Sequence, residues 1–339
     1  MTHTKSLYFP IVAVFVFILS GVLWINHGHT SNEEEIRIYI PTGSTYEAVV
    51  DTLMANHCLD SRSTFDRKAH MRKYPSSVKP GSYIIHPNMS CYRLVRKLRS
   101  GSQDPIIVVI GKQRSLETLC NNLDKRFEFS GRQLYRMLNS DSVCHHYGLT
   151  RSTIMTLFVR NSYEYYWNVT PSRFLDRMQQ EHSRYWNSSR LSKCDALKLT
   201  PAEVTILASI IEEETNVDDE KPLIASVYLN RIRRRMPLQA DPTVRYAVGD
   251  FSIRRILKSH TEIPSPYNTY QHIGLPPGPI CIPGTASIDA VLANHRTSYL
   301  YFCAKEDFSG RHNFAATLAE HQQNANRFHN ALNKRKIYK

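Results

Sequence analysis

The feature that most constrains this chain is an uncharged, mainly apolar run near its N-terminus, from Leu7 to Ile25. Its 19 residues are enough to cross the apolar core of a bilayer as one helix. Lys5 precedes the run and the acidic Glu33 to Glu35 follow it, which favours a cytoplasmic N-terminus. A cleaved signal peptide is the alternative, but the end of the run lacks the small residues of a cleavage site. We therefore expect a cytoplasmic tail over residues 1–6 and a retained single-pass anchor over residues 7–25.

Composition and net charge narrow the class of the part that follows the anchor. Apolar residues make up 42% of the 339, which is enough for a folded core and argues against dominant disorder. The formal net charge of +13 indicates an anionic partner. Outside the cytoplasmic membrane, cell-wall polymer or an anionic lipid surface is a better candidate than nucleic acid, which only the charge supports. We therefore expect no nucleic-acid partner.

The cysteine and histidine pattern predicts neither a disulfide framework nor a metal centre. The seven cysteines are scattered, and the sequence has no Cys-x-x-Cys pair or Cys/His ligand spacing. An odd number of isolated thiols is more typical of buried single cysteines. We expect His312 and His321 to be packed or surface side chains, and we expect no metal and no cofactor.

The exported part has two regions, and together they indicate an α+β protein. Residues 31–103 contain short elements: a strand near Arg37, two helices and a returning strand after Pro80-Gly81. This is the size of a small α/β binding module. Residues 104–339 are richer in long helices and in Pro/Gly loops, which indicates a larger mixed α+β domain.

The clearest helix in the sequence runs from about Pro201 toward Asn216. Thr200 supplies an N-cap, and Glu203 completes a capping box around a proline in the first turn. The apolar residues that follow recur at helical spacing, so one face of this helix should pack on the core.

Continuing the same helical phase places Glu214 on the apolar face. At about 100° per residue it lies near the direction of Leu207, whereas Glu212 and Glu213 point away and can reach water more easily. A desolvated carboxyl group has a raised pKa and can stay protonated near neutral pH. Such an acid can protonate the leaving oxygen of a glycosidic bond. The alternative is a helix that frays before Glu214 and leaves three acids on the surface, and periodicity alone does not exclude it.

A second set of candidate residues lies downstream. Asp241 precedes a proline, which favours an extended or turn conformation, and it is either a sugar ligand or a turn cap. Gln239 would share its side of an extended segment. Residues 264–284 hold six prolines and three glycines, with Asn268 and Tyr270 among them. This stretch is either a linker or a stiff groove wall that offers amide and aromatic groups to a polysaccharide.

These residues lie in a series of blocks that resembles a known family. The blocks keep their order over residues 200–321: Ala208–Thr215 (ASIIEEET), Ala225–Arg231 (ASVYLNR), Leu238–Val244 (LQADPTV), Tyr267–Tyr270 (YNTY), Gly274–Ile280 (GLPPGPI), Tyr299–Phe302 (YLYF) and His312–Phe314 (HNF). They resemble the YceG-like family of endolytic murein transglycosylases. A weaker likeness upstream, including the anchor, extends to nearly the whole chain.

The resemblance implies a single-pass enzyme of the inner membrane whose catalytic domain lies outside the cytoplasm. It implies a lytic transglycosylase that cuts nascent peptidoglycan strands internally, between N-acetylmuramic acid and N-acetylglucosamine. Such an enzyme leaves 1,6-anhydro ends and would end glycan elongation beside peptidoglycan synthesis proteins. Residues 31–103 would form a LysM-like module and residues 104–339 the catalytic domain. The second acid of the family's E-x-E-T motif maps onto Glu214, so family and helical phase select the same catalytic residue.

Six residues near these motifs are candidate substrate contacts: Glu212, Gln239, Asp241, Thr243, Asn268 and Tyr270. The chain also departs from the family's pattern. Arg160 stands where a proline is usual, Ser162 replaces a threonine, and Glu213 stands where a basic residue is common. The basic run that begins at Arg231 is expected to be a solvated face, or else to meet stem-peptide carboxylates.

Two other functions fit the same residues. A non-catalytic peptidoglycan-binding protein would use the same groove only to hold glycan. A muramidase would cut the same bond with water, and this generally needs two carboxyl groups. Replacing Glu214 and weighing the products separates all three.

Overall fold

The structure is a computed structural model that describes residues 12–16, 20, 28–253 and 255–335. The predicted cytoplasmic tail (1–6) lies outside the described residues, and so does most of the predicted anchor (7–25). Across the described part of the chain, no helix is both long enough and apolar enough to cross a membrane. The described elements are helices and small sheets, which confirms the α+β class.

The described part of the chain has more helices than strands. In chain order they are β1 (Ile36–Ile40), α1 (Tyr46–Ala55), α2 (Arg62–Met71), β2 (Gly81–Ile85), α3 (Cys91–Ser100), β3 (Ile106–Ile110), α4 (Leu116–Asp124), α5 (Gly131–Leu138), α6 (Asp141–His146), β4 (Asn161–Tyr165), α7 (Pro171–Tyr185), α8 (Ser188–Leu197), α9 (Pro201–Glu214), α10 (Lys221–Arg233), α11 (Asp241–Val248), α12 (Lys258–Thr261), α13 (Thr285–Leu292), β5 (Tyr301–Ala304), β6 (His312–Ala315) and α14 (Leu318–Lys334). Short 3₁₀ helices cover Ile154–Leu157 and Asp218–Glu220. The strands pair as β1 with β2, β3 with β4, and β5 with β6.

The chain forms two compact units. The first runs to Val108 and takes in two later segments, Arg126–Phe129 and Glu164–Thr170. The second holds Val109–Lys125, Ser130–Tyr163 and Pro171–Lys339. The boundary predicted between residues 103 and 104 lies a few residues before Val108, and nothing in the sequence indicated the two returning segments.

The first unit is built on a β-α-α-β arrangement followed by α3. β1 and β2 are antiparallel, with Ile36 opposite Ile85 and Ile40 opposite Gly81. Each of α1, α2 and α3 begins at a Ser or Thr whose side chain accepts a hydrogen bond from the first turn. Their apolar faces meet the sheet in a core of wholly buried side chains that includes Phe65. The predicted strand, two helices and returning strand are confirmed.

The core of the second unit surrounds α9. From Val204 to Ile211 every residue of this helix is buried, and it packs on α10, α11 and α13. The buried cluster also takes in Tyr228 of α10 and Val291 of α13. Because the helix is enclosed in this way, the position of the residues after its last buried turn is fixed.

The start of α9 follows the sequence closely. Thr200 Oγ1 accepts a hydrogen bond from the backbone N–H of Glu203 (3.2 Å), and the Glu203 carboxylate accepts one from the N–H of Thr200 (2.7 Å). Pro201 occupies the first helical position, where no N–H is needed. The predicted capping box is confirmed.

Removing this cap should destabilise the second unit. Thr200→Ala should lower its free energy of unfolding by about 1 kcal/mol, because the Glu203 N–H loses its partner. Urea denaturation followed by circular dichroism measures the change. The matched control is Thr285→Ala, since Thr285 is an exposed first-turn residue of α13. Equal stability of the two variants would contradict a stabilising role for the cap.

Candidate active site

Glu214 lies where a buried helix opens into a cavity. It is the last residue of α9, so the helix reaches the candidate acid and does not fray before it. Leu207, Ile210 and Ile211 on the adjoining face are wholly buried. The Glu214 side chain lines a cavity of about 360 Å³ in the second unit. The helical phase predicted from the sequence is confirmed.

Four of the seven site residues predicted from the sequence meet in this cavity. Gln239, Asp241 and Tyr270 line it together with Glu214. They come from α9, from the segment that leads into α11, and from the proline-rich loop, which the fold brings to one place. The candidate contacts Glu212, Thr243 and Asn268 do not line it.

The carboxyl of Glu214 has an environment suited to a proton donor. The Tyr228 phenol donates a hydrogen bond to Glu214 Oε1 at 2.5 Å. The pKa of Glu214 is raised to about 7, chiefly because burial penalises the charged form. The negative charge of Asp241 acts in the same direction, whereas the Tyr228 hydrogen bond and the charges of Arg245 and Arg231 act against it. A carboxyl with a pKa in this range exchanges its proton near neutral pH, where one group can both give and take a proton.

Glu213, one residue before, is held as a carboxylate. Arg114 donates two parallel hydrogen bonds to it, at 2.9 and 2.8 Å, and Lys112 Nζ lies 3.0 Å from Oε1. Burial acts to raise the pKa of Glu213, but the hydrogen bonds from Arg114 and Lys112 outweigh it and hold the pKa below its usual value. This acid fastens α9 to the segment before α4.

Glu212 is also ionised, in a separate network. Arg160 Nη1 lies 2.6 Å from its Oε1, and the Ser287 hydroxyl donates to Oε2 at 2.5 Å. Burial acts to raise the pKa of Glu212, but the Ser287 hydrogen bond and the Lys221 charge lead a set of contacts that lower it overall. Arg160, which stands where the family has a proline, therefore has a structural partner.

Helical phase predicts that Glu212 and Glu213 reach water more easily than Glu214, but neither side chain is open to solvent. Each side chain is only 12% exposed. Helical phase turns both away from the core side of α9, but cations from other parts of the unit cover them. Periodicity along one helix cannot reveal such partners.

Asp241 is the second carboxylate of the cavity. The Tyr270 phenol donates a hydrogen bond to Asp241 Oδ1 at 2.7 Å. Asp241 is the first residue of α11, so the extended or turn conformation expected there is wrong. The reason is that Pro242 lies in the first turn of the helix. A backbone N–H at that position would have no partner within the helix, so a proline is tolerated there.

Gln239 reaches the cavity through an unusual backbone conformation. Its φ of 49° lies in the left-handed region, which is uncommon for a residue other than glycine. Its N–H donates to the carbonyl of Thr269 at 3.0 Å, which ties it to the proline-rich loop. Such strain persists only where the surrounding structure holds it, and it often marks a functional site.

Thr243 and Asn268 support the cavity from behind. The Thr243 hydroxyl is wholly buried and lies 2.8 Å from that of Thr269. The Asn268 amide donates to the carbonyls of Thr261 and Ile263, and its Oδ1 accepts from the N–H of Tyr270 at 3.0 Å. Their side-chain groups are used inside the fold and position the loop that carries Tyr270.

Two residues that were not predicted as site residues, Tyr228 and Arg231, also line the cavity. Tyr228 and Arg231 are three residues apart on α10 and share a face toward Glu214. Arg231 is 8% exposed and donates to the carbonyls of Leu300 (2.7 Å) and Leu238 (2.8 Å). The solvated face expected for Arg231 is therefore wrong. The i, i+3 spacing of Tyr228 and Arg231 was the signal that could have found them.

His312 also lines the cavity and is fixed by a buried carboxylate. Glu220 accepts hydrogen bonds from the His312 backbone N–H (2.9 Å) and lies 3.0 Å from its Nδ1. Glu220 is 5% exposed. Glu220 therefore holds in place a ring that lines the cavity. Across the described residues, no three His, Cys, Asp or Glu side chains are grouped to hold a metal ion.

Glu214→Gln should stabilise the protein at neutral and higher pH. When folding raises the pKa of a carboxyl group, the free energy of unfolding falls as pH rises from the pKa in the unfolded chain to the pKa in the folded protein. For Glu214 these values are about 4.5 and about 7. The amide keeps an acceptor for Tyr228 and does not ionise. The variant's advantage should grow over this range to as much as about 3 kcal/mol and then stay constant.

Urea denaturation at pH 4.5, 6 and 8 measures this advantage. Glu117→Gln, which alters an exposed acid of α4, should follow the wild type at each pH. An effect of Glu214→Gln that does not change with pH would contradict the raised pKa.

Known proteins resemble this chain in sequence. The sequence model of the YceG-like family matches residues 38–327. A Bacillus subtilis (strain 168) protein named endolytic murein transglycosylase is 29% identical over 317 residues, which cover 88% of this chain and 86% of the relative. A Streptococcus pneumoniae (serotype 2, strain D39) protein of the same name is 23% identical over 91% of this chain, and the chain spans 61% of its length.

A solved structure agrees with these matches. The crystal structure of a putative yceG-like protein from Listeria monocytogenes superposes with a TM-score of 0.56 at 26% identity. The superposition covers 86% of this chain and 99% of the other. Because the family match runs from within β1 to within α14 and takes in both units, this protein belongs to the YceG-like family.

Proposed function

We propose that this protein is a lytic transglycosylase that cuts peptidoglycan glycan strands internally, between N-acetylmuramic acid and N-acetylglucosamine. The observation that carries the proposal is the carboxyl of Glu214, which lies at the end of a buried helix, lines a cavity and has a pKa raised to about 7. The names of the Bacillus and Streptococcus relatives support the same reaction class.

One carboxyl group is enough for this reaction. Protonated Glu214 gives its proton to the glycosidic oxygen as the bond to C1 of the muramic acid breaks. The resulting carboxylate then takes the proton of that sugar's C6 hydroxyl as its oxygen bonds to C1. The product has a 1,6-anhydro ring, no water is consumed, and Glu214 is protonated again. The nucleophile is tethered to the reacting carbon, which favours this closure over attack by water.

The neighbours of Glu214 fit the two halves of this cycle. Tyr228 donates to Oε1, and so the cavity proton is best carried on Oε2. The Tyr228 hydrogen bond also stabilises the carboxylate that exists between the two steps. Asp241 supplies a negative charge in the same cavity, which favours positive charge developing at C1, and Tyr270 holds that carboxylate in place. Gln239 is the amide that can bind sugar hydroxyls there.

A muramidase is the second candidate, and Asp241 is the observation that favours it. Two carboxyl groups in one cavity could divide the work, with Glu214 as the acid and Asp241 activating water. The two reactions cut the same bond and differ in whether water is added.

The location of the enzyme is part of the proposal. The apolar run at residues 7–25 supports a single-pass anchor in the cytoplasmic membrane, with both compact units outside the cytoplasm. The β-α-α-β order of the first unit supports a LysM-like module. An anchored enzyme of this kind would act on nascent strands, end their elongation and work beside the proteins that synthesise them.

The products identify the reaction. Wild-type protein should release fragments that end in 1,6-anhydro-muramic acid, whereas hydrolysis would add the mass of one water and give reducing ends. Glu214→Gln should lower the rate at least about 100-fold because it removes the general acid. Mass spectrometry of digested glycan strands measures both. If the wild type leaves the strands uncut, the protein is a non-catalytic binding protein. If the products have only reducing ends, it is a muramidase.

The pH dependence should follow Glu214 and respond to Tyr228. Activity should fall as pH rises through about 7, since the acid must begin protonated. Tyr228→Phe removes a hydrogen bond that lowers the pKa of Glu214, so the fall should move to higher pH. At pH 6 the rate of the Tyr228→Phe variant should stay within about tenfold of the wild-type rate.

Profiles of kcat/KM against pH for both proteins test this. Tyr135→Phe changes an exposed phenol of α5 and should leave the profile unmoved. A Tyr228→Phe profile that falls at the same pH as the wild type, or at a lower one, would contradict the assigned role.

A further inference from the structure

A basic groove runs along one face of α3 in the first unit. Arg93, Arg96, Lys97 and Ser100 line it, at the i, i+3, i+4 and i+7 positions that share one side of a helix. Met89 and Ser102 also line it, and its volume is about 440 Å³. The opposite face of α3, with Leu94 and Leu98, is buried in the core of the unit. The groove therefore lies on a helix that is packed against the core of the unit.

The two arginines of this groove have no anionic partner. Among the described residues, none forms an ion pair or hydrogen bond with the exposed guanidinium groups of Arg93 and Arg96. Lys97 instead lies 2.7 Å from Asp104 and donates to a backbone carbonyl. Elsewhere in the unit Arg62 meets several acids. The groove therefore offers two unneutralised planar cations, a geometry that matches phosphate.

The chain that follows the apolar run is fixed to the start of this groove. The N–H of Cys91 donates to the carbonyl of Gly28 at 2.9 Å, and the N–H of Thr30 donates to the carbonyl of Met89 at 2.8 Å. The Thr30 hydroxyl also accepts from the N–H of Met89 at 3.0 Å. These contacts hold the residues just after the run against the first turn of α3.

The tether between the run and α3 is short. Only two residues separate Ile25 from Gly28, so these two positions are at most about 10 Å apart. With residues 7–25 in a bilayer, the first turn of α3 is held near the headgroups, at about the distance over which charges interact at physiological salt. Arg93 lies within that turn and Arg96 within the next.

We propose that the α3 groove binds the phosphate of anionic phospholipid headgroups at the outer surface of the cytoplasmic membrane. The inference rests on the anchor in the proposed function and is independent of the chemistry at Glu214. Guanidinium groups pair bidentately with phosphate oxygens, and the tether delivers the groove to a surface where phosphate is concentrated. Headgroup binding by Arg93 and Arg96 fixes the first unit against the membrane.

Lipid selectivity of the full chain tests the proposal. Protein in neutral detergent is titrated with short-chain phosphatidylglycerol or with short-chain phosphatidylcholine, and native mass spectrometry counts the bound lipids. Wild type should prefer the anionic lipid by about 10-fold or more, and higher ionic strength should reduce this preference. Arg93→Gln with Arg96→Gln should weaken anionic-lipid binding by about 10- to 30-fold, since each cation near a lipid surface contributes about fivefold.

Two further variants give the experiment its controls. The double variant Arg132→Gln, Arg136→Gln makes the same charge change at two exposed positions of α5. It should bind anionic lipid like the wild type. Arg93→Lys with Arg96→Lys should recover most of the binding, because the charge is kept. Melting temperatures should match across the set, which shows that each variant is folded.

The possible results separate docking from catalysis. Equal binding of the two lipids by the wild type, or an equal loss in the α3 and α5 variants, would overturn the lipid site. Displacement of the anionic lipid by soluble muropeptide at a similar concentration would also overturn it and assign the groove to stem-peptide carboxylates. Release of anhydro fragments in the same preparations reports on Glu214 alone, so the lipid site can fail while the proposed function stands.

Discussion

Desolvation of a single carboxyl group is the physical constraint on which the second unit depends. Burying Glu214 costs free energy whenever the group is charged, and the fold accepts this cost at the end of a helix that is enclosed by the core of the unit. The core around α9 fixes the direction of the side chain, and Tyr228 supplies a hydrogen bond that either protonation state accepts. A flexible surface acid would have neither the raised pKa nor a fixed position toward a bound sugar.

Three consecutive acids in one helical turn have different states because their surroundings differ. Glu212 and Glu213 have arginine and lysine partners that keep them ionised, whereas the phenol of Tyr228 is the hydrogen-bond donor to Glu214. Burial acts to raise the pKa of all three acids, and the hydrogen bonds and cations around Glu212 and Glu213 reverse the shift for those two. The ion pairs of Glu212 and Glu213 also fasten the end of α9 to other parts of the unit and so help to hold Glu214 in position.

Local sequence signals predicted the elements and the acid, because those signals act within one helix. The capping box at Thr200, the apolar spacing up to Ile211 and the phase of Glu214 need no knowledge of the rest of the chain. The partners of Glu212 could not be predicted in this way, since Arg160 and Ser287 are 52 and 75 residues distant along the chain. The helical start at Asp241 was missed because the residue before a proline is usually extended, and the helix N-terminus is the exception.

The proton on Glu214 is central to the proposed reaction, and one titration tests whether it is present at neutral pH. In protein labelled with ¹³C at glutamate carboxyl carbons, the Glu214 signal is the one that disappears in Glu214→Gln. Its chemical shift should titrate with a midpoint near pH 7, and it should not follow the titrations of Glu212 and Glu213, which should lie below the ordinary value. A midpoint at the ordinary value of about 4.5 would contradict the account, because Glu214 would then be a carboxylate at neutral pH with no proton to give.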